Sequence, residues 1–336
     1  MTIVKNVIKI LAMILLFVVV AILLFNLFLN IKLFEFYSTS VSIGDVPGLN
    51  DGGVQQGLDY VADKDTLLAS CYMTDKSASR IYVTKDGKTS FTALKNEDGS
   101  DYTGHVGGIC HNGNYFYVGK SGGLKVFKLD DILGGGEAKA IGDVDLINTA
   151  SWCTVYDGVV YAGTYADVAT PAYAPAPELI IENPKVSGEA NCSIISAYKL
   201  SDGDDATFGI DNSKPINIFS IIGYVQGGVF NKDGNLILST SHGIALSGFH
   251  FYDMKKASEN KRTYTHSDGQ TYEMIFLGTD SLTKKLEGPP MAEELVIIND
   301  KLYVMNESAS AKYIFGNLVG GRELYAVDLK DSYFGK

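Results

Sequence analysis

The sequence predicts an all-β domain, a β-propeller, preceded by one transmembrane α-helix. Two observations predict this arrangement. The first is an uncharged apolar run from Ile10 to Ile31 near the N-terminus. The second is a repeating unit of short strands in the rest of the chain, where apolar residues show no long helical periodicity. Runs rich in Val, Ile, Tyr and Phe alternate there with Gly, Asn and Asp, which is typical of strands joined by turns.

The apolar run, ILAMILLFVVVAILLFNLFLNI, is long enough to cross a bilayer. At about 1.5 Å of rise per residue it covers about 30 Å, the thickness of the hydrocarbon core. A cleaved signal peptide is the alternative, but its apolar stretch is usually only about 7 to 15 residues. Lys5 and Lys9 precede the run, whereas Lys32 is soon followed by Glu35. The positive-inside rule therefore predicts a single-pass protein of the cell membrane, with a cytoplasmic N-terminus and the C-terminal domain outside.

The repeating unit consists of a first strand that usually contains Gly, a turn rich in Asn, Asp and Gly, and two further strands. Five units are visible, and their first strands read QQGLDY, GHVGGICH, SWCTVY, VQGGVF and MAEELV. Turns such as Asp157-Gly158 and Asn299-Asp300 use residues that tolerate positive φ. A single unit cannot bury both faces of its sheet, whereas a radial arrangement of several units does so. The repeat therefore predicts a propeller.

The fifth unit ends without a visible fourth strand. The β-rich stretch from Phe36 to Ile43 is left over after the anchor, and we predict that it completes the last blade and closes the ring. Prolines in residues 171–191 interrupt the third unit, and they predict a surface loop that either gates a site or is an exposed excursion. The predicted divisions are a cytoplasmic N-terminus at 1–9, a transmembrane anchor at 10–31, a connector with the ring-closing strand at 32–44, and the propeller at 45–336.

The form shared by QGLDY, GGICH, QGGVF and AEELV resembles a bacterial β-propeller superfamily. This superfamily includes gluconolactonase/strictosidine-synthase-like and TolB-like proteins, and a membrane-anchored group within it is the nearest fit. The resemblance covers about residues 45–330 and is architectural, not a catalytic signature. It implies a propeller that typically has six blades, so a sixth blade stays open beside the five visible units.

Polar residues of the first strands are predicted to meet at the central channel, because the inner strands of a propeller line it. The residues that alignment of the units brings to one level are Gln56, Gly107, Gln226 and Glu293, with His105 and Trp152 beside them. The ends of the second strands add His242 and Glu307. As an active site, His105 would be a general base oriented by Glu293. The alternative is that these groups solvate a water-filled channel or cap turns.

His105 and Glu293 are the predicted catalytic residues, and the predicted ligand-binding residues are Gln56, Trp152, Gln226, His242 and Glu307. Oxygen atoms of Glu293, Gln56 and Gln226 would suit Ca²⁺ as a cofactor. A metal-dependent lactonase of the resembled superfamily would be expected to place several acids on this ring, and only one lies at the aligned level. The metal therefore stays open.

The net charge of −11 and the isoelectric point near 4.9 exclude duplex nucleic acid as a partner, since phosphate binding needs clustered Lys and Arg. The cysteines are far apart and lack C-x-x-C spacing, which indicates neither a zinc site nor a thioredoxin-type pair. They are either buried free thiols or, in an oxidising exterior, disulfides. The pair to test is Cys110 with Cys153, because both fall early in consecutive units.

Two classes of function fit these features. The first is a membrane-anchored extracytoplasmic module that binds a small molecule, an envelope polymer or a protein. The second is a hydrolase or lactonase with its site at the central channel, with or without Ca²⁺. The sequence leaves open whether the protein is an enzyme, because ligands contributed by different blades leave no linear motif.

Overall fold

The protein begins with a long apolar helix, α1 (Thr2–Lys32), in the computed structural model, which describes residues 2–183, 190–318 and 320–335. From Ile3 to Lys32 this helix has a mean hydropathy of 3.2 in its most apolar stretch, none of which is buried against the protein. Within the described ranges it is the one helix long and apolar enough to cross a membrane. It starts before the predicted anchor boundary at Ile10, because the residues that flank the apolar run are also helical.

A short second helix, α2 (Phe34–Thr39), fastens α1 to the β domain. The amide of Leu33 donates to the carbonyl of Leu29 at 2.7 Å, so helical hydrogen bonding continues across the junction. Phe36 is fully buried, and its ring stacks on that of Phe249 with 5.9 Å between the centroids. Two ion pairs flank this contact, Lys32–Glu287 at 2.9 Å and Glu35–Lys284 at 2.7 Å. The apolar helix therefore meets the β domain through a packed joint.

Short strands make up most of the remaining chain. In chain order they are β1 (Ser40–Asp45), β2 (Gly53–Val61), β3 (Thr66–Met73), β4 (Arg80–Lys85), β5 (Lys88–Lys95), β6 (Ile109–Asn112), β7 (Tyr115–Lys120), β8 (Gly123–Lys128), β9 (Gly136–Lys139), β10 (Gly142–Asp145), β11 (Trp152–Tyr156), β12 (Val159–Gly163), β13 (Ile181–Glu182), β14 (Ala190–Lys199), β15 (Asn217–Ile222), β16 (Val225–Phe230), β17 (Leu236–Thr240), β18 (Ser247–Tyr252), β19 (Lys261–Thr265), β20 (Thr271–Phe276), β21 (Leu282–Gly288), β22 (Ala292–Ile298), β23 (Lys301–Asn306) and β24 (Glu323–Asp328). The two other α-helices in the described ranges are short, α3 (Leu129–Gly134) and α4 (Met254–Ala257).

These strands form five sheets in the described part of the chain. Their strand orders are β2-β3-β4-β5-β9 in sheet 1, β6-β7-β8-β10 in sheet 2, β11-β12-β14-β15-β20-β19 in sheet 3, β16-β17-β18-β21 in sheet 4, and β22-β23-β24-β1 in sheet 5; β13 also pairs with β14. The first strands, β2, β6, β11, β16 and β22, contact one another in sequence, and β22 also contacts β2. The chain is therefore an all-β, propeller-like ring of sheets with an N-terminal apolar helix.

The N-terminal strand lies on the last sheet. β1 pairs antiparallel with β24, from Ser40 opposite Val327 to Asp45 opposite Glu323. The left-over stretch after the apolar helix thus supplies the fourth strand of sheet 5, but only from Ser40 onward. The predicted strand was wrong for Phe36–Thr39, which is helical because Phe36 packs its ring into the β domain as part of α2. Because β1 and β24 come from the two ends of the domain, their ladder ties these ends together and holds the apolar helix beside them.

The turns predicted within the units are confirmed where the first strand of each unit reaches the second. Asp157 and Gly158 join β11 to β12 with φ of 47° and 73°. Asn299 and Asp300 join β22 to β23 with φ of 51° and 61°. Positive φ at both central residues matches the twist of the flanking strands, so these tight hairpins form with little strain.

The insertion in sheet 3 contains two single 3₁₀ turns, at Pro171–Tyr173 and Pro177–Leu179, followed by β13. Its prolines fit these turns, since proline favours the start of a helix and cannot join a central strand. Tyr173 turns back toward the protein, and its carbonyl accepts the amide of Asp167 at 2.9 Å. The rest of the predicted loop, 184–189, lies outside the described residues.

Candidate functional site at the mouth of the ring

A cavity of about 510 Å³ opens at the ring of first strands. It collects every predicted site residue except Trp152, namely Gln56, His105, Gln226, His242, Glu293 and Glu307, and Gly107 also lines it. These residues come from or beside four sheets, and the fifth, sheet 3, contributes Ser151 and Tyr165 next to its strands. The residues that the repeat alignment placed at one level of the first strands therefore line a single pocket in the structure.

β-bulges place three of the polar side chains in this pocket. The pairing register shifts between Gln55 and Leu58 in β2, between Val225 and Gly227 in β16, and between Ala292 and Leu295 in β22. Gln56, Gln226 and Glu293 lie inside these interruptions. A bulge inserts an unpaired residue and locally bends the strand, so each first strand can aim a polar side chain at the mouth of the ring while the rest stays in its ladder.

Glu293 is a buried carboxyl group in the pocket wall, with 3% of its surface exposed. The amide of Gln226 lies 3.5 Å from its Oε1 atom, which is a long contact. Burial raises the pKa of Glu293 well above its usual range, and the charges of Glu307 and Glu294 raise it further. The neutral, protonated acid is therefore the form that this position favours, and it can donate a hydrogen bond to a ligand.

Glu307 is the second buried carboxyl group of the pocket. Its Oε2 atom accepts a hydrogen bond from the Gln56 amide at 2.8 Å. Burial raises the pKa of Glu307 to about 7, although the Gln56 hydrogen bond and the Lys312 cation act in the opposite direction. Glu307 therefore changes charge near neutral pH.

Lys312 and two tyrosines form a part of the wall that sequence reasoning missed. The Lys312 ammonium lies 3.3 Å from the hydroxyl of Tyr72 and 4.7 Å from the ring centroid of Tyr313. The hydrogen bond with Tyr313 is the main factor that raises the pKa of Lys312. Lys312 lies in the connection between β23 and β24, which is longer than the β3–β4, β7–β8 and β17–β18 connections of other units, so the repeat gave no aligned position for it.

His105 forms one rim of the pocket, where its ring stacks on Tyr72 with 4.7 Å between centroids. The His105 side chain is accessible to solvent, but the protein atoms packed near its ring disfavour the charged imidazolium and so lower its pKa. The positive charge of Lys312 lowers the pKa further. A neutral imidazole is the form that a general base needs. In the described part of the chain, however, no hydrogen bond joins His105 to Glu293, its predicted orienting partner.

His242 lies on the same pocket beside a buried acid that the sequence did not indicate. Its Nε2 atom is 3.5 Å from Asp167, and its ring lies 4.7 Å from that of Tyr224. The hydroxyl of Thr170 donates to Asp167 at 2.6 Å, and this bond is the main cause that lowers the pKa of Asp167. Asp167 follows the second strand of sheet 3 at the start of its long insertion, where the repeat alignment breaks down.

Trp152 does not line the pocket, which corrects its prediction as a ligand-binding residue. It is fully buried in a core cluster with Ile195 and Leu238. A Cβ atom added to Gly163 or Gly228 would lie 2.0 Å or 2.6 Å from its indole ring. The large apolar ring fills the space that these glycines leave, because burial of its surface between sheets 3 and 4 stabilises the fold more than exposure at the mouth would.

Glu294, the neighbour of Glu293, joins the inner strands below the pocket. Its Oε2 atom accepts the backbone amides of Leu58 and Ile109, both at 2.9 Å, and its Oε1 atom accepts that of Cys153 at 3.1 Å. Burial raises the pKa of Glu294, whereas these three hydrogen bonds lower it. One carboxyl group thus links β22 to the first strands of three other sheets. Two consecutive acids in an otherwise apolar strand were the signal that could have revealed it.

No cluster of three or more His, Cys, Asp or Glu side chains suited to a metal ion is found in the described residues. In the pocket, the amide nitrogen of Gln56 donates a hydrogen bond to Glu307, so the two side chains are paired with each other and do not both present free oxygen atoms to a metal ion. Of the predicted Ca²⁺ ligands Glu293, Gln56 and Gln226, both amides direct their nitrogen atoms to carboxyl groups of the pocket, so these side chains do not present the large oxygen set that Ca²⁺ usually takes.

Comparison with known proteins shows structural similarity without similarity of sequence. No family model matches the chain, and no curated protein matches it. Among solved structures, the PQQ-bound aldose sugar dehydrogenase of Streptomyces coelicolor is 13% identical, with a TM-score of 0.45 over 86% of this chain and 97% of that one. A gluconolactonase of Xanthomonas campestris is 12% identical, with a TM-score of 0.39 over 87% and 89% of the two chains.

Gluconolactonase-like proteins are also among those that the repeat resembles. At these identities and TM-scores the likeness carries no information about function, which must be argued from the residues of this chain. Solved structures similar to this chain include an aldose sugar dehydrogenase and a gluconolactonase.

Proposed function

We propose that this chain is a membrane-anchored, extracytoplasmic β-propeller of five blades, one for each sheet, that binds a small polar ligand in the pocket at the mouth of the ring. The observation that carries the proposal is convergence. Side chains from or beside all five sheets meet in one cavity of about 510 Å³, which is the size of a small-molecule site.

The chemistry of the wall favours a neutral ligand rich in hydroxyl groups. Gln56 and Gln226 supply amides, and the buried carboxyl groups of Glu293 and Glu307 supply both donors and acceptors. The rings of Tyr72, Tyr165, Tyr173 and Tyr313 line the same cavity. Aromatic faces pack against the apolar faces of a sugar ring while amides and carboxyl groups bond its hydroxyls, so a saccharide matches both halves of this surface.

The placement outside the cytoplasm rests on the N-terminal helix and its flanks. Lys5 and Lys9 favour a cytoplasmic N-terminus, and the packed joint at Phe36 would hold the β domain close to the opposite face of the membrane. An epitope tag at the C-terminus should be accessible to antibody on intact cells. Labelling that appears only after the cells are made permeable would overturn this placement.

Ligand binding is tested with the full chain in lipid nanodiscs and a panel of neutral mono- and disaccharides. A member of the panel should bind the wild type, and Gln56→Ala should weaken it about tenfold, the loss expected for one good hydrogen bond. The matched control is Gln270→Ala, which removes the same side chain from an exposed hairpin turn. Its affinity should equal that of the wild type.

The proposal fails if no saccharide in the panel binds. It also fails if Gln56→Ala and Gln270→Ala have the same affinity as the wild type for a saccharide that does bind. Thermal unfolding of each variant without ligand separates a lost contact from a lost fold, since a change confined to the pocket leaves the midpoint close to that of the wild type.

A second candidate, a hydrolase or lactonase, is favoured by one observation. Glu307 has a pKa of about 7 beside a second buried acid, Glu293, so the pair can give and take a proton near neutral pH. Incubation of the wild type with ester, lactone and glycoside substrates, with and without Ca²⁺, tests this reading. Turnover that Glu307→Gln abolishes would support the enzyme, whereas binding without turnover supports the binding module.

A further inference from the structure

Two cysteines of adjacent sheets lie side by side beneath the pocket. The sulfur atoms of Cys110 in β6 and Cys153 in β11 are 3.3 Å apart. Both side chains are almost fully buried, with 2% and 1% of their surfaces exposed. In a disulfide the two sulfur atoms are about 2.05 Å apart, so a shift of roughly 1 Å would bring this pair to bonding distance.

The other two cysteines are placed differently. The sulfur of Cys71 lies 3.7 Å from the sulfur of Met73, which cannot form a disulfide. Cys192 lies in sheet 3 next to Gly223, whose added Cβ atom would be 2.8 Å from the Cys192 sulfur. Within the described residues, Cys110 and Cys153 are thus the one pair of cysteines brought into contact.

We propose that Cys110 and Cys153 form a disulfide bond that joins sheets 2 and 3 when the chain folds under oxidising conditions. The two thiols lose two protons and two electrons as the S–S bond forms. The electrons pass to the disulfide of a thiol–disulfide exchange partner, such as glutathione disulfide, which is cleaved to two thiols. The pairing fits the proposed extracytoplasmic placement, since disulfides persist in oxidising compartments.

The bond has to form before the ring is complete. Burial raises the pKa of both thiols in the folded protein, so little of the reactive thiolate is present there. Access for an oxidant is also lost once β6 and β11 are packed. A chain that has already folded with reduced thiols should therefore resist oxidation, whereas a chain that folds in the presence of an oxidant should be cross-linked.

The bond would also stiffen the pocket. Gly107 and Ser151 precede β6 and β11, and both line the cavity. A Cβ atom added to Gly107 would lie 2.4 Å from the Ser151 carbonyl oxygen, so the two segments already touch. A covalent link a few residues away would hold this part of the wall at a fixed width, which reduces the ordering cost of ligand binding.

The test uses the full chain made by cell-free synthesis into lipid nanodiscs in a glutathione redox buffer, so its result does not depend on orientation in a cell. Free thiols are alkylated in denaturant without reductant, and peptides are then mapped by mass spectrometry. We expect a cross-linked peptide that contains Cys110 and Cys153, and alkylated Cys71 and Cys192. The thermal midpoint should fall when the nanodisc sample is made with dithiothreitol instead.

The double variant Cys71→Ser, Cys192→Ser should keep this reductant-sensitive shift, and Cys153→Ser should lose it. Mapping of the wild type stands on its own even if Cys153→Ser does not fold. The proposal is overturned if Cys110 and Cys153 are both alkylated in wild-type protein that unfolds cooperatively, or if either is linked to Cys71 or Cys192 instead.

Discussion

Glu293 and Glu294 are neighbours in the chain, yet they serve two different regions of the molecule. Glu293 lies in the pocket wall, and its hydrogen-bond contact in the described residues is the amide of Gln226 at 3.5 Å. Glu294 lies below, where its carboxyl group accepts three backbone amides from three sheets. The first position leaves its carboxyl group available for a ligand, and the second uses both of its oxygen atoms to hold the ring together.

The difference follows from strand geometry. Successive side chains of a strand point to opposite sides, and the interruption between Ala292 and Leu295 turns both acids away from the ordinary ladder. Glycines allow the strands to close around Glu294. A Cβ atom added to Gly227 would lie 2.4 Å from the Cα atom of Glu294, and one added to Gly57 would lie 3.1 Å from its Oε2 atom. The region below the pocket is therefore tightly packed, whereas the pocket is open.

The largest effect is expected when Glu294 is replaced. Glu294→Ala leaves the amides of Leu58, Ile109 and Cys153 buried without an acceptor, and each unsatisfied group costs about 1 to 3 kcal/mol. We expect the free energy of unfolding to fall by roughly 4 kcal/mol. Urea unfolding of the full chain in detergent micelles measures this through the fluorescence of Trp152, the single tryptophan, which is buried near the same strands.

Glu293→Ala is the matched control, because it removes the same side chain one residue away. It breaks only the long contact with Gln226, so the loss should stay below about 1 kcal/mol. Equal losses for the two variants would contradict the division into a pocket acid and a structural acid.

The sequence predicted the residues that line the pocket better than it predicted the packing of the core beneath the pocket. The repeat aligned Gln56, Gly107, Gln226 and Glu293, and all four line one cavity, because equivalent positions of radially arranged units must converge. The same logic placed Trp152 at the mouth. It failed there because bulk decides the direction of a large apolar side chain, and the ring fits between Gly163 on the paired strand and Gly228 on the next sheet.

Parts of the site on long connections between the second and third strands gave no sequence pattern that predicts their position. Lys312 comes from the connection between β23 and β24, and Asp167 from the beginning of the insertion in sheet 3. Their positions depend on how long connections fold back over the ring. Local turn chemistry and strand periodicity are short-range signals, so they predict the blades but not the route of such segments.

The next largest effect is expected at a glycine of the packed region. A Cβ atom added to Gly108 would lie 2.2 Å from the Cα atom of Trp152 and 2.4 Å from the amide nitrogen of Cys153. These are backbone atoms, so the strands themselves must move, and we expect Gly108→Ala to cost about 3 kcal/mol. Gly134→Ala is the control, because nothing lies within 4 Å of its added Cβ atom. Its unfolding midpoint should stay close to that of the wild type, and a similar loss in both variants would exclude close strand packing as the cause.

The smallest of these effects concerns the pocket and depends on pH. Burial raises the pKa of Glu307 from an ordinary value of 4.5 to about 7, so the folded protein binds its proton more tightly than the unfolded chain does. The stabilisation from this proton is complete below pH 4.5 and is lost as the pH rises to about 7. Relative to Glu307→Gln, which keeps an oxygen acceptor for Gln56, the wild type should lose about 2.5 kcal/mol across that window. Urea midpoints measured at several pH values test this, with Glu97→Gln on an exposed turn expected to follow the wild type. If the difference in urea midpoint between the wild type and Glu307→Gln were constant across the window, the proton affinity of this carboxyl group would not change on folding. The charge of the pocket would then not depend on Glu307 over this pH range.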